Sequence, residues 1–177
     1  MTLRYIRKHL TRLCGAMAVG VLAWISLSEW FVHRQEERIA AWCESVGARV
    51  AFYYFGPDWI PKSIQSRLEL LDRVAVIEFR GTSVTDAQLH NLQGLSSVEM
   101  LGLEGTHVTD NGLHYLEKLA TIEWLDLRST NVSDAGTERL KGFTKLEWLG
   151  LNDTKVSSGG RASLRRVLPN CKIDPDP

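Results

Sequence analysis

Residues 98–110 read VEMLGLEGTHVTD, and the line returns every 24 residues: VAVIEFRGTSVTD from Val74, IEWLDLRSTNVSD from Ile122 and LEWLGLNDTKVSS from Leu146. Self-similarity at a fixed period of this length marks a solenoid, in which each unit stacks on its neighbours. Apolar residues fill the first, fourth, sixth and eleventh places of every line, as Val98, Leu101, Leu103 and Val108 do in the second. Threonine fills the ninth: Thr82, Thr106, Thr130 and Thr154. This is the leucine-rich-repeat pattern with threonine in place of asparagine.

Each place has a physical reason. The first half of a line makes a short parallel strand whose first, fourth and sixth side chains face the core. At the ninth place the chain turns inward, and a side-chain oxygen there satisfies backbone groups that burial would otherwise leave unpaired, at about 1–3 kcal/mol each. The threonine ladder is therefore structural. Thr85-Asp86, Thr109-Asp110 and Ser133-Asp134 supply N-capping residue types, and Thr85 with Gln88 forms a capping box. Leu89, Leu92 and Leu95, then Leu113, Leu116 and Leu119, predict convex helices with one buried side. That pattern weakens through Thr137, Leu140 and Phe143 to Arg161, Leu164 and Val167, as expected of a capping repeat.

The register extends outward in both directions. One period before Val74 lies Val50, and Val50, Tyr53 and Phe55 fit places one, four and six; Gly56-Pro57 ends that strand, and Ile64, Leu68 and Leu71 supply a helix. Leu168, Cys171 and Ile173 fit the same places at the far end. Repeats are thus expected to start at 50, 74, 98, 122 and 146, with a cap strand over 168–173, a solenoid over 50–173 and a fraying tail over 174–177. The fold class is α/β, with parallel strands concave and helices convex.

Ahead of the solenoid, Leu13 to Val32 reads LCGAMAVGVLAWISLSEWFV, with Glu29 its one charge. As a helix it would cover about 30 Å, the thickness of a bilayer's hydrocarbon core. Residues 1–12 carry Arg4, Arg7, Lys8 and Arg12. This positive end is expected to stay in the cytoplasm, with the repeats beyond an inner membrane on the periplasmic side. The rival reading is a cleaved signal peptide with a poor site at Ser26-Leu27-Ser28. Ala16-x-x-x-Gly20 would let two such helices approach as a weak homodimer. Residues 33–49 then read as a juxtamembrane helix and N-terminal cap, with Ile39, Trp42 and Cys43 on its apolar face.

Lys plus Arg and Asp plus Glu both total 21, but from His33 onward 17 basic residues face 20 acidic ones. No basic stripe forms, so nucleic acid is not expected as a partner. Cys14, Cys43 and Cys171 are widely spaced and make neither a disulfide framework nor a zinc or redox motif. Cys43 and Cys171 fall at opposite ends of the stack, too far apart to bridge.

The GTxVTD lines at 81–86 and 105–110, the lead-in Val46-Gly-Ala-Arg-Val50 and the ending Leu168-Pro-Asn-Cys-Lys-Ile173 resemble bacterial membrane-anchored leucine-rich-repeat proteins with ribonuclease-inhibitor-like repeats. The resemblance implies a binding or scaffolding module and supplies no catalytic residues. Similar repeats occur in eukaryotic ubiquitin-ligase adaptors, beside an F-box that is not expected within these 177 residues.

Stacking turns columns of letters into surfaces, because equivalent residues of neighbouring strands lie about 4.8 Å apart. The outward third place holds Phe52, Val76, Met100, Trp124 and Trp148, an apolar stripe expected to grip a protein or peptide; the alternatives are that the two tryptophans simply stack on each other or that a terminal segment covers them. The second place aligns Glu99, Glu123 and Glu147, either a lure for a basic partner or a solvated edge. The seventh alternates Arg80, Glu104 and Arg128, which can pair internally. His90, His114 and Glu138 share a convex column but belong to separate helices, too far apart to ligate one metal ion. No nucleotide-binding loop, hydrolase elbow or zinc-protease motif occurs. The expectation is a membrane-tethered binding or scaffold module with no catalytic residues and no cofactor or metal. The alternatives are a regulator that covers a partner enzyme's active site, or a ubiquitin-ligase-adaptor-like repeat protein without an F-box.

Overall fold

The computed structural model describes residues 31–54 and 72–174. A helix over 31–45 (α1) leads into strand Arg49–Tyr54 (β1). There follow Asp72–Glu78 (β2), Asp86–Leu89 (α2), Met100–Gly102 (β3), Leu113–Leu116 (α3) and Trp124–Asp126 (β4), then Asp134–Leu140 (α4), Trp148–Gly150 (β5), Ser158–Val167 (α5) and Lys172–Asp174 (β6). The six strands form one sheet in chain order, β1 to β6. From β2 to β6 every pairing is parallel, with Val76 opposite Met100, Met100 opposite Trp124 and Trp124 opposite Trp148. The architecture is a leucine-rich-repeat-like solenoid, and the 24-residue period is its register.

Behind the sheet the repeated apolar places merge into one core. Val74, Ile77 and Phe79 of the first coil, Val98, Leu101 and Leu103 of the second, and Leu125 and Leu127 of the third are fully buried. Leu89, Leu92, Leu113, Leu116 and Leu119 close it from the convex side. Burying a leucine contributes roughly 1.5–3 kcal/mol, so no coil is stable without its neighbours.

The convex segments lengthen toward the C-terminus, from four residues in α2 and α3 to seven in α4 and ten in α5, although the leucine pattern weakens there. A strict spacing of three suits a tighter coil than the α-helix, in which side chains three apart eclipse. Leu89 and Leu92 accordingly straddle the junction of α2 with a 3-10 turn at His90–Leu92.

The ends depart from the extrapolated register. β1 pairs antiparallel with β2, with Ala51 opposite Val76 and Phe52 opposite Val74 across a bulge. The stretch from Val50 therefore does not open another parallel coil, and Phe52 does not continue the third-place column. An apolar pattern is blind to strand direction, and β1, entered through a turn after α1 with Gly47 at φ +85°, runs opposite to β2. Phe55, Ile64, Leu68 and Leu71 lie outside the described residues. At the other end Lys172 pairs with Trp148 and Ile173 with Leu149, so the third and fourth places there belong to Lys172 and Ile173. Cys171 is buried all the same, beside Leu168 and Ile173 in the core.

The stack is closed at its start by α1, whose Ile39, Ala40 and Cys43 join the core. Trp42 packs on Phe79 with ring centroids 5.9 Å apart. The carboxylate of Glu36, fully buried, accepts a hydrogen bond from the Val74 amide at 3.0 Å. The other end is guarded by Arg165, whose Nη2 donates to the Ile173 carbonyl at 3.3 Å and occupies an acceptor at the sheet's edge. Among the described residues no helix is long and apolar enough to cross a membrane. Of the expected span over 13–32, only 31 and 32 are described, and both belong to α1.

Candidate protein-binding face

The outward face of the sheet is built by four columns. At the third place, Trp124 and Trp148 are half-buried and stacked, with ring centroids 4.3 Å apart and planes 12° from parallel. Met100 beside them is 36% exposed. The ladder spaces these side chains at one strand's width, and two indoles at that spacing meet face to face. The column is thus a ridge whose tryptophans lend each other surface, continued by Met100 and Val76 on one side and bounded by Lys172 on the other. Phe52, 39% exposed, stands outside it.

At the fifth place acids alternate with glycines: Glu78, Gly102, Asp126, Gly150 and Asp174 lie opposite one another in turn. The alternation is steric. A Cβ at Gly102 would run into the Glu78 carboxylate, and one at Gly150 into the Trp148 ring and Asp126. Gly150 therefore lets the Trp148 indole lie flat on the sheet.

The seventh place pairs internally. Arg128 donates from Nε and Nη2 to Asp126 at 2.9 and 2.6 Å and from Nη2 to Glu104 at 3.0 Å; Arg80 Nε also reaches Glu104, at 3.2 Å. Asp126 is only 2% exposed, and the fork of Arg128 neutralises it. The Asp126 hydrogen bond in turn holds the Arg128 pKa above its ordinary value. The same guanidinium lies 5.7 Å from the centre of the Trp148 ring, a cation over an indole face.

Beside the ridge, Glu99, Glu123 and Glu147 follow one another along the backbone ladder. The Glu123 amide donates to Glu99 at 2.8 Å and the Glu147 amide to Glu123 at 2.7 Å. Glu123 and Glu147 are exposed and Glu99 is half-buried.

Below the columns, the threonine ladder works as its residue type requires in three of four coils. Thr106, Thr130 and Thr154 donate to the carbonyls of Leu103, Leu127 and Leu151 at 2.7, 2.6 and 2.7 Å. In the first coil the Thr82 hydroxyl is buried without a partner.

A second ladder escaped the sequence reading. Asp86 accepts from the Thr109 amide and hydroxyl at 2.7 and 2.6 Å. Asp110 does the same with Ser133, and Asp134 with Ser157. The residue types do more than cap their own helices: each aspartate clamps the next coil. A glycine sits over each clamp, since a Cβ at Gly112, Gly136 or Gly160 would strike Asp86, Asp110 or Asp134. The signal was available. Aspartate at the thirteenth place is answered by glycine at the fifteenth place of the following line, and the final line, with no coil of this kind to clamp, has Ser158 instead.

On the convex side, His90 and His114 turn Nδ1 to the carbonyls of Ala87 and Asn111, His114 lies against Tyr115, and Glu138 pairs with Lys141 at 2.6 Å. Among the described residues no group of His, Cys, Asp and Glu is arranged to hold a metal ion. Burial raises the Cys43 thiol to about 12 and the Cys171 thiol to about 11, so both remain protonated core atoms at neutral pH.

No protein-family profile matches the chain, and no curated protein does. A solved leucine-rich-repeat protein of Leptospira interrogans is similar over 48% of this chain, at 18% sequence identity and a TM-score of 0.34; the matched part is 27% of that protein's chain.

Proposed function

We propose that the chain is a leucine-rich-repeat interaction module that holds a protein or peptide partner on its concave sheet, tethered to a membrane through residues 13–32. The observation that carries the reading is the ridge of Val76, Met100, Trp124 and Trp148, aligned strand by strand on the outward face of the sheet. Outward positions of a sheet with one solvated face are ordinarily polar, and large aromatic side chains there favour a partner that removes them from water. The stacked indoles and the Arg128–Asp126 clamp fix the ridge before binding, so little ordering entropy is lost on association. The reading assigns no reaction to the chain. Its support for membrane attachment is the uncharged run from Leu13 to Ser28, followed by Glu29 and by Trp30 at the far end.

The test is affinity capture from membranes with the wild type and with Trp124→Ala/Trp148→Ala. Recovery of the same partners by both proteins would refute the concave-face reading. Resistance of the chain to alkaline carbonate extraction, without a shift to a shorter product, is expected of an anchor and not of a cleaved leader.

A further inference from the structure

Charge on the concave face is unevenly spent. Arg80 and Arg128, the cations of the seventh place, are engaged by Glu104 and Asp126. Among the described residues no ion pair reaches Glu99, Glu123 or Glu147. Like charges set directly opposite one another across strands repel, so the free protein carries a column of strain that a cation would relieve. The column runs alongside an apolar ridge, and that ridge already accepts a guanidinium over one of its indoles.

Resting on the concave-face reading above, we infer that the occupant is an extended protein segment with basic residues at alternate positions. Laid lengthwise between the two columns, an extended chain points successive side chains to opposite sides, with same-side residues about 6.8 Å apart. Two lysines or arginines on one side, about 6.8 Å apart, span most of the roughly 9.6 Å column of Glu99, Glu123 and Glu147, while apolar side chains on the other side rest on Met100, Trp124 and Trp148. The glutamate column sets the sign of the partner and the indoles supply the buried area. Attraction at such exposed sites is screened by salt, so binding weakens steeply as ionic strength rises.

The probe is a short peptide alternating lysine and valine, titrated calorimetrically into the full chain in zwitterionic detergent; a peptide with glutamate replacing lysine is the control. Wild type is expected to bind the first and not the second. Glu123→Gln/Glu147→Gln should lose about tenfold in affinity, each exposed pair being worth up to about a fivefold change. The same variant should melt no lower than wild type, because it removes repulsion. Equal affinity of the two proteins for the lysine peptide, or equal binding of the two peptides, would overturn the inference. If Trp124→Ala/Trp148→Ala loses the membrane partners while Glu123→Gln/Glu147→Gln keeps them, the concave-face reading stands and the basic segment falls.

Discussion

Asp86 and Thr109 stand 23 residues apart and share two hydrogen bonds, one to the threonine amide at 2.7 Å and one to its hydroxyl at 2.6 Å. The contact joins two coils at the point where each strand's turn meets the next helix. Asp86→Ala strands both donors, and a cost of about 1–3 kcal/mol is expected for losing charge-assisted bonds at a half-buried site. Gly112→Ala should cost a similar amount, about 1–3 kcal/mol, by driving a methyl group into the same carboxylate. Because both changes act on one contact, the double variant should lose less than the two single losses combined. Denaturant unfolding of the four proteins measures this coupling, and strict additivity would contradict the clamp.

The threonine ladder gives a contrast within one residue type. Thr130→Val removes a buried bond to Leu127 and should destabilise by about 1 kcal/mol. Thr82→Val removes a buried hydroxyl that has no partner, so stability should hold or rise. Equal losses from both would show that the ladder acts through shape and not through its oxygens.

At the eighth place the backbone is left-handed in all four coils. Gly81 and Gly105 take it freely, at φ +75° and +68°, whereas Ser129 and Asp153 hold φ +54° with a Cβ in the way. Ser129→Gly should therefore stabilise by roughly 0.5–1 kcal/mol, the relief of strain exceeding glycine's greater entropy loss. Gly105→Ala should move the other way. Thermal unfolding of both variants checks the sign.

Acid should loosen the third of the aspartate clamps in a defined window. Hydrogen bonds from the Ser157 side chain, then from its amide, hold the Asp134 pKa below its ordinary value of 3.8. A group whose folded pKa is lowered contributes stability above the unfolded value and loses it as pH falls through the folded one. The contribution is thus intact at neutral pH, begins to fall as pH approaches about 3.8 and is gone once pH has dropped below the lowered folded pKa. Asp134→Asn should be less stable than wild type at neutral pH and should show a shallower acid limb. Parallel acid limbs for the two proteins would argue against the clamp at this position.

The middle of this molecule was legible because a fixed period converts letters directly into neighbours. Val76, Met100, Trp124 and Trp148 fall into register by counting alone, and so does the Arg80–Glu104–Arg128 ladder. Counting failed where the period no longer governed the chain. Val50 and Tyr53 match the apolar pattern, but β1 runs antiparallel to β2, a direction that no alternation of side chains encodes. Leu168, Cys171 and Ile173 match it two residues out of step, because α5 ends at Val167 and leaves its own spacing before β6. Stacking of the tryptophans, one of the alternatives for the third column, followed once the strands were adjacent. The aspartate clamps were missed because each residue was read within its own line, while their meaning lies between one line and the next.

That between-line logic makes the chain editable in whole units. Removing residues 111–134 would join Asp110 to Ala135 and restore the junction that normally follows Asp134, with Gly136 arriving above Asp86 just as Gly112 did. Duplicating the same block would leave every joint equally intact, whereas a cut that is not a whole number of 24-residue lines would orphan an acid on one side and a bare glycine on the other. Such a protein can grow or shorten by copying errors of one size without relearning how to fold.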